Sequence, residues 1–150
     1  MKEVMIIVEA IEESDLFKGV SKDFLHEIGK AGEVKHCKPD SFIFHANEKA
    51  RYVYQLIEGT VEIMMADKEI IHLSVTRPDE IIGWSALVEP YTYTATAISR
   101  HNTKVVRISR EAIEKVIMKY PADGLAVLRH LTAIISHRLR HAYLYIYNKG

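Results

Sequence analysis

Between Glu33 and Ser109 the chain is a succession of short apolar runs separated by turn-forming residues, and this pattern strongly restricts the possible folds. Runs of this length, rich in β-branched and aromatic residues, are typical of strands. We predict strands at Glu33–Cys37, Phe42–His45, Tyr52–Glu58, Thr60–Met65, Ile70–Val75, Glu80–Ile82, Tyr93–Ile98 and Lys104–Ile108. Short strands in close succession favour an antiparallel sheet that closes or rolls up on itself.

Helical spacing of apolar residues replaces this pattern at both ends of the chain. Ser21 and Ser109 are predicted to cap the N-termini of helices, and Pro121 fits the first turn of a long final helix. The predicted helices cover residues 2–13, 22–30, 110–119 and 121–147. The fold class is therefore α+β, with most strands in the middle of the chain.

The length and composition of the chain are those of an ordinary globular domain. With 150 residues, we expect one domain over 1–150, its β-roll at about 33–109 and its C-terminal helices at about 110–147. The 20 Lys and Arg residues balance 20 Asp and Glu residues, so no net charge draws the chain to nucleic acid or to an anionic membrane. Cys37 is the single cysteine, and no signal peptide or membrane span is visible, which favours the cytoplasm.

The segment 81–97 combines a strand end, a glycine turn, a short helix, a proline loop and a new strand. Gly83 permits a positive φ or the close approach of a ligand. The helix start over residues 85–87 is expected to offer free backbone N–H groups to an anion. From Tyr93 onward, the side chains alternate as in a half-buried strand. This segment is the predicted ligand site.

The segment resembles the phosphate-binding cassette of cyclic nucleotide-binding domains, the family of catabolite activator protein and the kinase regulatory subunits. That cassette has a glycine, a glutamate and an Ala-Leu pair, then a short loop and an Arg-(Thr/Ser/Ala)-Ala sequence. Gly83, Ala86, Leu87 and residues 94–96 match it.

Two further stretches resemble the family. Residues 16–21 are similar to the start of its N-terminal helical hairpin, and residues 47–59 are similar to a strand segment that ends in a glycine. In the second stretch Asn47 replaces a family glycine, and asparagine tolerates a left-handed φ. The resemblance covers about residues 15–145. It implies a mainly β double-stranded β-helix, or jelly-roll-like β-roll, with N-terminal helices and a long C-terminal dimerisation helix.

Two positions depart from the family pattern. Trp84 stands where the family has the glutamate that holds the ribose 2′-hydroxyl, and Tyr93 where it has the arginine that pairs with the cyclic phosphate. Loss of that arginine removes a charge-assisted contact of about 1.5–3 kcal/mol. The ligand is therefore expected to be a less anionic or more aromatic molecule than cAMP bound in the usual way. The predicted ligand contacts are Gly83, Trp84, Ser85, Ala86, Leu87, Tyr93, Thr94 and Ala95.

Aromatic residues accompany the cassette and the end of the final helix. The first group comprises Trp84, Tyr91 and Tyr93, which either stack on a planar ring of the ligand or pack against the final helix. The second group comprises Tyr143, Tyr145 and Tyr147, which lie either near the place where the family's dimer helix covers the pocket or on the surface.

Apolar residues at three- and four-residue spacing form a narrow seam along the final helix. A sustained narrow seam is typical of contact between two helices and predicts a homodimer. The alternative is that the seam packs on the chain's own sheet, but Val127, Leu131, Ile134 and Tyr145 form a second apolar side for that purpose. The seam residues are Leu125, Leu128, Thr132, Ile135, Leu139, Ala142 and Ile146.

Histidines raise the alternative of a metal or haem site. His130, His137 and His141 share one face of the final helix, which we interpret as a solvated polar face. A metal-dependent cupin would use histidines among His36, His45 and His72, and a haem sensor would need a ligand such as His72 or Cys37. The spacing of these residues favours neither, so no metal site is predicted.

We found no catalytic Ser/His/Asp order, paired carboxylates or Gly-rich nucleotide loop, and no enzyme activity is predicted. The sequence ends soon after the predicted dimer helix, at Gly150, so no DNA-binding segment is expected. The leading hypothesis is a dimeric cytoplasmic sensor of a cyclic nucleotide or another small metabolite. The alternative is a ligand-free module that keeps the fold for dimerisation and for docking a partner protein.

Overall fold

In the computed structural model, which describes residues 2–65, 71–75 and 78–149, helices flank antiparallel sheets. The helices are α1 (Lys2–Ile11), α2 (Lys22–Ala31), α3 (Arg110–Lys119) and α4 (Pro121–Lys149). The strands are β1 (Glu33–Cys37), β2 (Ser41–Phe44), β3 (Tyr52–Glu58), β4 (Val61–Met65), β5 (Ile71–Val75), β6 (Ile81–Ile82), β7 (Thr96–Ser99) and β8 (Thr103–Ser109). The predicted α+β fold with a long C-terminal helix is confirmed.

The described strands form two four-stranded sheets with the orders β1-β8-β3-β6 and β2-β7-β4-β5. In the first sheet, β3 pairs with β6 and sets Tyr54 opposite Ile82, directly before the turn at Gly83. In the second sheet, β7 pairs with both β2 and β4. Both sheets therefore contribute residues to the same region of the fold, namely Phe44 at the end of β2, Ile63 in β4 and Ile82 in β6.

Strand β3 crosses the core, and its residues 53–56 are all buried. A strand buried on successive residues has both faces covered. One face meets helix α1, which packs against β3 and buries Ile7 and Ile11 completely. Phe17 and Phe24 continue this apolar layer, with ring centroids 6.2 Å apart. The N-terminal helices α1 and α2 therefore contribute to the core.

Both predicted serine caps are confirmed. Ser21 Oγ accepts a hydrogen bond from the Phe24 amide at 3.2 Å, and Ser109 Oγ accepts one from the Ala112 amide at 3.1 Å. Ser21 Oγ also donates to Asp123 Oδ2 at 2.6 Å. The cap of α2 thus bonds directly to the first turn of α4.

Most predicted elements differ from the observed ones by one to three residues at an end, and two of these corrections have a clear local cause. Helix α1 ends at Ile11 rather than residue 13, because the Ser14 amide donates to Ile11 O and Ser14 Oγ accepts from the Phe17 amide. Strand β7 begins at Thr96 rather than Tyr93. Tyr93 pairs instead with the 47–48 loop, since its amide donates to Glu48 O and its carbonyl accepts from the Asn47 amide. This pairing holds residues 93–95 outside the regular sheet.

Helix α4 buries one side and exposes another. The second apolar side predicted from the sequence packs on the chain, with Val127, Leu131 and Ile134 buried. Exposed apolar residues lie elsewhere along the helix, at Leu125, Leu128, Leu139, Leu144 and Ile146.

Candidate functional site

A cavity of about 380 Å³ lies between the turn after β6, the segment before β7 and helix α4. Its floor and one wall come from the strands and from the predicted cassette, and its other wall comes from α4. The lining residues are Phe44, Ile63, Ile82, Gly83, Trp84, Ser85, Tyr93, Thr94, Ala95, Ile135, Arg138, Leu139, His141, Ala142 and Tyr145. Most of these side chains are apolar or aromatic, and helix α4 supplies the basic ones, Arg138 and His141.

Gly83 shapes the cavity wall through both its conformation and its missing side chain. Its φ is +79°, in the left-handed region that favours glycine. A Cβ atom at this position would lie 3.2 Å from Tyr93 Cε1 and 3.3 Å from both Phe44 Cε2 and the carbonyl oxygen of Tyr52. The glycine therefore lets the turn pass close to the aromatic wall of the cavity.

Tyr93 is a fixed part of that wall. Its ring stacks on Phe44, with centroids 3.9 Å apart and planes 13° apart. Its hydroxyl donates to the carbonyl oxygen of Tyr52 at 2.7 Å. Burial raises the pKa of the Tyr93 hydroxyl well above its ordinary value, so the side chain is neutral at physiological pH. Tyr93 thus contributes a neutral ring to the wall and no positive charge.

Six of the predicted cassette contacts line the cavity, and two do not. The six are Gly83, Trp84, Ser85, Tyr93, Thr94 and Ala95. Ala86 is fully buried and Leu87 is half-buried outside the lining. The expectation of a free amide at Ala86 is wrong, because that N–H donates to Gly83 O at 3.1 Å within the 3₁₀ turn over residues 84–87.

Some members of each predicted aromatic group line the cavity and others lie outside it. Trp84 and Tyr93 line the cavity, whereas Tyr91 lies against Arg110, whose guanidinium carbon is 4.0 Å from the ring centroid. Tyr145 lines the cavity from α4. The other two helix tyrosines, at positions 143 and 147, are exposed.

The predicted dimer seam has two structural roles. Ile135, Leu139 and Ala142 line the cavity. Leu125, Leu128, Thr132 and Ile146 are exposed on α4 and do not line it. The same helix therefore carries both a cavity wall and an exposed apolar row.

An ionic cluster that was not predicted from the sequence lies beside the cavity. Arg138 Nη2 lies 3.8 Å from Glu80 Oε2, and their side chains are 21% and 25% exposed. Asp15 Oδ1 accepts a hydrogen bond from the Ile81 amide at 3.1 Å. Burial raises the pKa of Asp15 to about 6, with repulsion from Glu80 adding to the rise and the charge of Arg138 opposing it.

A signal for Arg138 was present in the sequence. Arg138 follows Ile135 by three residues and precedes Ala142 by four, so the three share one helix face. A cation inside a predicted apolar seam is unusual enough to indicate a polar partner or a ligand. The clustering of Asp15 and Glu80 beside it depends on contacts between distant segments and has no comparable local signal.

The histidines of α4 do not form one solvated face as interpreted from the sequence. His130 is half-buried, and its Nδ1 lies 2.9 Å from the carbonyl oxygen of Leu16. His141 lines the cavity. Within the described part of the chain, no three His, Cys, Asp or Glu residues form a group suited to a metal ion. The side chain of His72, a residue considered for a metal or haem, lies outside the described residues.

The match to a protein family agrees with this architecture. The chain belongs to the cyclic nucleotide-binding domain family, whose model matches residues 34–120. That match includes the strands, the cassette and helix α3. Helix α4, which forms the other wall of the cavity, lies just beyond it.

Solved structures share this fold. A protein of Geobacter metallireducens GS-15 assigned to the cyclic nucleotide-binding proteins is 29% identical, with a TM-score of 0.72 over 83% of this chain and 91% of that one. A cyclic nucleotide-binding domain from Methylobacillus flagellatus KT has a TM-score of 0.82 at 20% identity, over 99% and 85% of the two chains. Catabolite activator protein from Thermus thermophilus has a TM-score of 0.71 at 21% identity, over 89% and 62%.

Curated relatives are much longer than this chain. It is 28% identical over 120 residues to potassium channel KAT4 of Oryza sativa subsp. japonica, covering 79% of this chain and 20% of the channel. It is 23% identical over 134 residues to lysophospholipase NTE1 of Yarrowia lipolytica, covering 88% of this chain and 9% of that protein. Among the described residues, no helix has the length and apolar character needed to cross a membrane.

Proposed function

We propose that the chain is a non-enzymatic sensor domain that binds a small ligand between its cassette and helix α4. The observation that carries this proposal is the shared cavity, whose walls include Gly83 and Trp84 on one side and Leu139 and Ala142 on the other. A ligand that contacts both walls changes the free energy of packing between them. Occupancy is then transmitted through α4, because a ligand favours the arrangement that it contacts better.

The cavity lining supports a ligand with a flat apolar body. Phe44, Ile63 and Trp84 provide apolar and aromatic surface, and pockets of this kind fix a ligand with a few polar groups. The neutral, hydrogen-bonded Tyr93 supports a ligand other than cAMP held in the family's usual way. A different nucleotide or another small metabolite is the proposed occupant.

The oligomeric state, the downstream partner and the cellular compartment of the sensor are also proposals. The exposed apolar residues Leu125, Leu128 and Ile146 on α4 favour a homodimer through this helix, with a downstream protein as the receiver of the signal. We propose one domain over 1–150, with the two sheets wound as a jelly-roll-like double-stranded β-helix and without direct DNA binding. The single free Cys37 is compatible with the cytoplasm.

Ligand binding should raise the thermal stability of the purified chain. A compound present at 100 times its dissociation constant should raise the free energy of unfolding by about 2.7 kcal/mol. Thermal unfolding with a panel of cyclic nucleotides, other nucleotides and aromatic carboxylates measures this gain. The matched control is Ala142→Phe, which places a ring in the cavity from the half-buried Ala142 on α4 and should abolish stabilisation by the same compounds.

The same measurement distinguishes the sensor from the rival proposal of a ligand-free module for dimerisation and partner docking. The exposed apolar row of α4 is the observation that favours the rival. If no compound in the panel stabilises the chain while sedimentation shows a dimer, the rival describes the protein better. Stabilisation that persists in Ala142→Phe places the ligand elsewhere and contradicts the sensor proposal.

A further inference from the structure

Positive charge in the cavity comes from helix α4 rather than from the cassette. Among the described residues of the lining, Arg138 carries a positive charge and His141 can take one. In the family the cation belongs to the cassette, where this chain has the neutral Tyr93. An anionic group that enters the cavity therefore meets its countercharge on the opposite wall.

The guanidinium of Arg138 is mostly buried and loosely paired. Its distance of 3.8 Å to Glu80 Oε2 is near the limit of an ion pair and far from the 2.7–2.9 Å typical of a charge-assisted hydrogen bond. Burial lowers the pKa of Arg138 from its ordinary value, and the charges of Glu80 and Asp15 oppose this effect. Arginine nevertheless stays protonated and carries five N–H donors. A mostly buried cation whose ion pair is this long can form a shorter and stronger hydrogen bond with an oxyanion that enters the cavity.

We propose that Arg138 binds the anionic group of the ligand, and that the ligand is a small organic oxyanion with a flat apolar body. This inference rests on the proposed sensor function and specifies the ligand class of the same cavity. Trp84 and Phe44 contact the apolar body, and the guanidinium forms hydrogen bonds with the oxyanion. Arg138 thereby exchanges its long contact with Glu80 for a short contact with the ligand, which ties α4 to the occupied cavity.

Two fluorescent dyes with related bodies and different charge test this inference. 1-Anilinonaphthalene-8-sulfonate carries a sulfonate, and N-phenyl-1-naphthylamine is its neutral counterpart. Both gain fluorescence in an apolar cavity. The wild-type chain should bind the anionic dye about tenfold or more tightly than the neutral one, because a charge-assisted hydrogen bond adds to the same apolar contacts. Arg138→Met should weaken the anionic dye about tenfold and leave the neutral dye unchanged.

Three variants serve as controls. Arg140→Met removes an exposed cation two residues away on α4 and should leave both affinities unchanged. Arg138→Lys keeps the charge and should retain part of the preference for the anionic dye. Ala142→Phe fills the cavity and should weaken both dyes, which separates cavity binding from binding to the exposed apolar row. Thermal unfolding of each variant confirms that it is folded.

The outcomes separate the inference from the function on which it rests. Equal affinity of the two dyes, unchanged by Arg138→Met but reduced by Ala142→Phe, overturns the role of Arg138 and leaves the ligand cavity standing. An anionic preference removed by His141→Gln and kept in Arg138→Met also overturns it. Failure of Ala142→Phe to weaken either dye, or no binding of either, overturns the cavity as a ligand site and the inference together.

Discussion

Asp15→Asn is expected to stabilise the protein by about 2 kcal/mol relative to wild type at pH 7.5, and by little near pH 3.5. The folded-state pKa of Asp15, about 6, lies above the ordinary value of 3.8 because burial disfavours its charged form. Between these two values the folded state binds more protons than the unfolded state. Wild-type stability therefore falls as pH rises from about 4 to about 6, and asparagine removes this loss. The figure allows for solvent screening at a half-buried site.

Urea unfolding of both proteins across pH 3.5–8 measures this difference. Asparagine keeps an oxygen that can accept the hydrogen bond of the Ile81 amide, so the local packing is retained. Glu33→Gln is a control for which the change in stability with pH is expected to have the opposite sign. The hydrogen bond from Arg107 lowers the pKa of Glu33, so its contribution is present at neutral pH and is lost as pH falls. An Asp15→Asn protein that is less stable than wild type at pH 7.5 would show that the carboxylate stabilises the fold.

Trp84→Glu combined with Tyr93→Arg is expected to tighten cAMP binding by about tenfold or more. The two substitutions restore the polar contacts of the family's cassette at positions that line the cavity. A bidentate contact between arginine and phosphate and a hydrogen bond from a ribose hydroxyl to glutamate each contribute about 1.5–3 kcal/mol. The gain is partly offset by loss of the stacking between Tyr93 and Phe44, about 0.5–1.5 kcal/mol. Calorimetric titration with cAMP measures the change.

The control for this double variant has the same composition and a different position of the new arginine. Trp84→Glu combined with Tyr91→Arg places the guanidinium two residues away, where the wild-type side chain lies against Arg110 instead of lining the cavity. It should bind cAMP no better than wild type. Equal affinity of the two double variants would contradict the assignment of Tyr93 to the family's arginine position.

Local features of the fold were predictable because short-range chemistry determines them. The hydroxyls of Ser21 and Ser109 cap helices as expected, and Gly83 has the positive φ that its place in the turn predicted. Asn47 replaces a family glycine and also has a positive φ, 72°. The strand order was not predicted from the sequence, since the pairing of distant strands leaves little trace in local sequence.

The candidate site was predictable on the cassette side only. The cassette is one continuous segment, and its resemblance to the family's phosphate-binding cassette indicated the six of its residues that line the cavity. The opposite wall depends on how α4 crosses the sheets, and this packing made Arg138 part of the cavity. The start of β7 was misplaced for a similar reason. Hydrogen bonds between Tyr93 and the loop at Asn47 and Glu48 outweigh the alternating pattern that predicted a strand.

The emission of Trp84 provides the most direct measurement of cavity occupancy, because Trp84 is the only tryptophan in the sequence and lines the cavity. Each compound that stabilises the chain should change this emission saturably, with one site per chain and a midpoint that matches the calorimetric dissociation constant. Filling the cavity through Ala142→Phe should remove the response. A compound that stabilises the chain and leaves the emission of Trp84 unchanged binds elsewhere, and that result would contradict a ligand site between the cassette and helix α4.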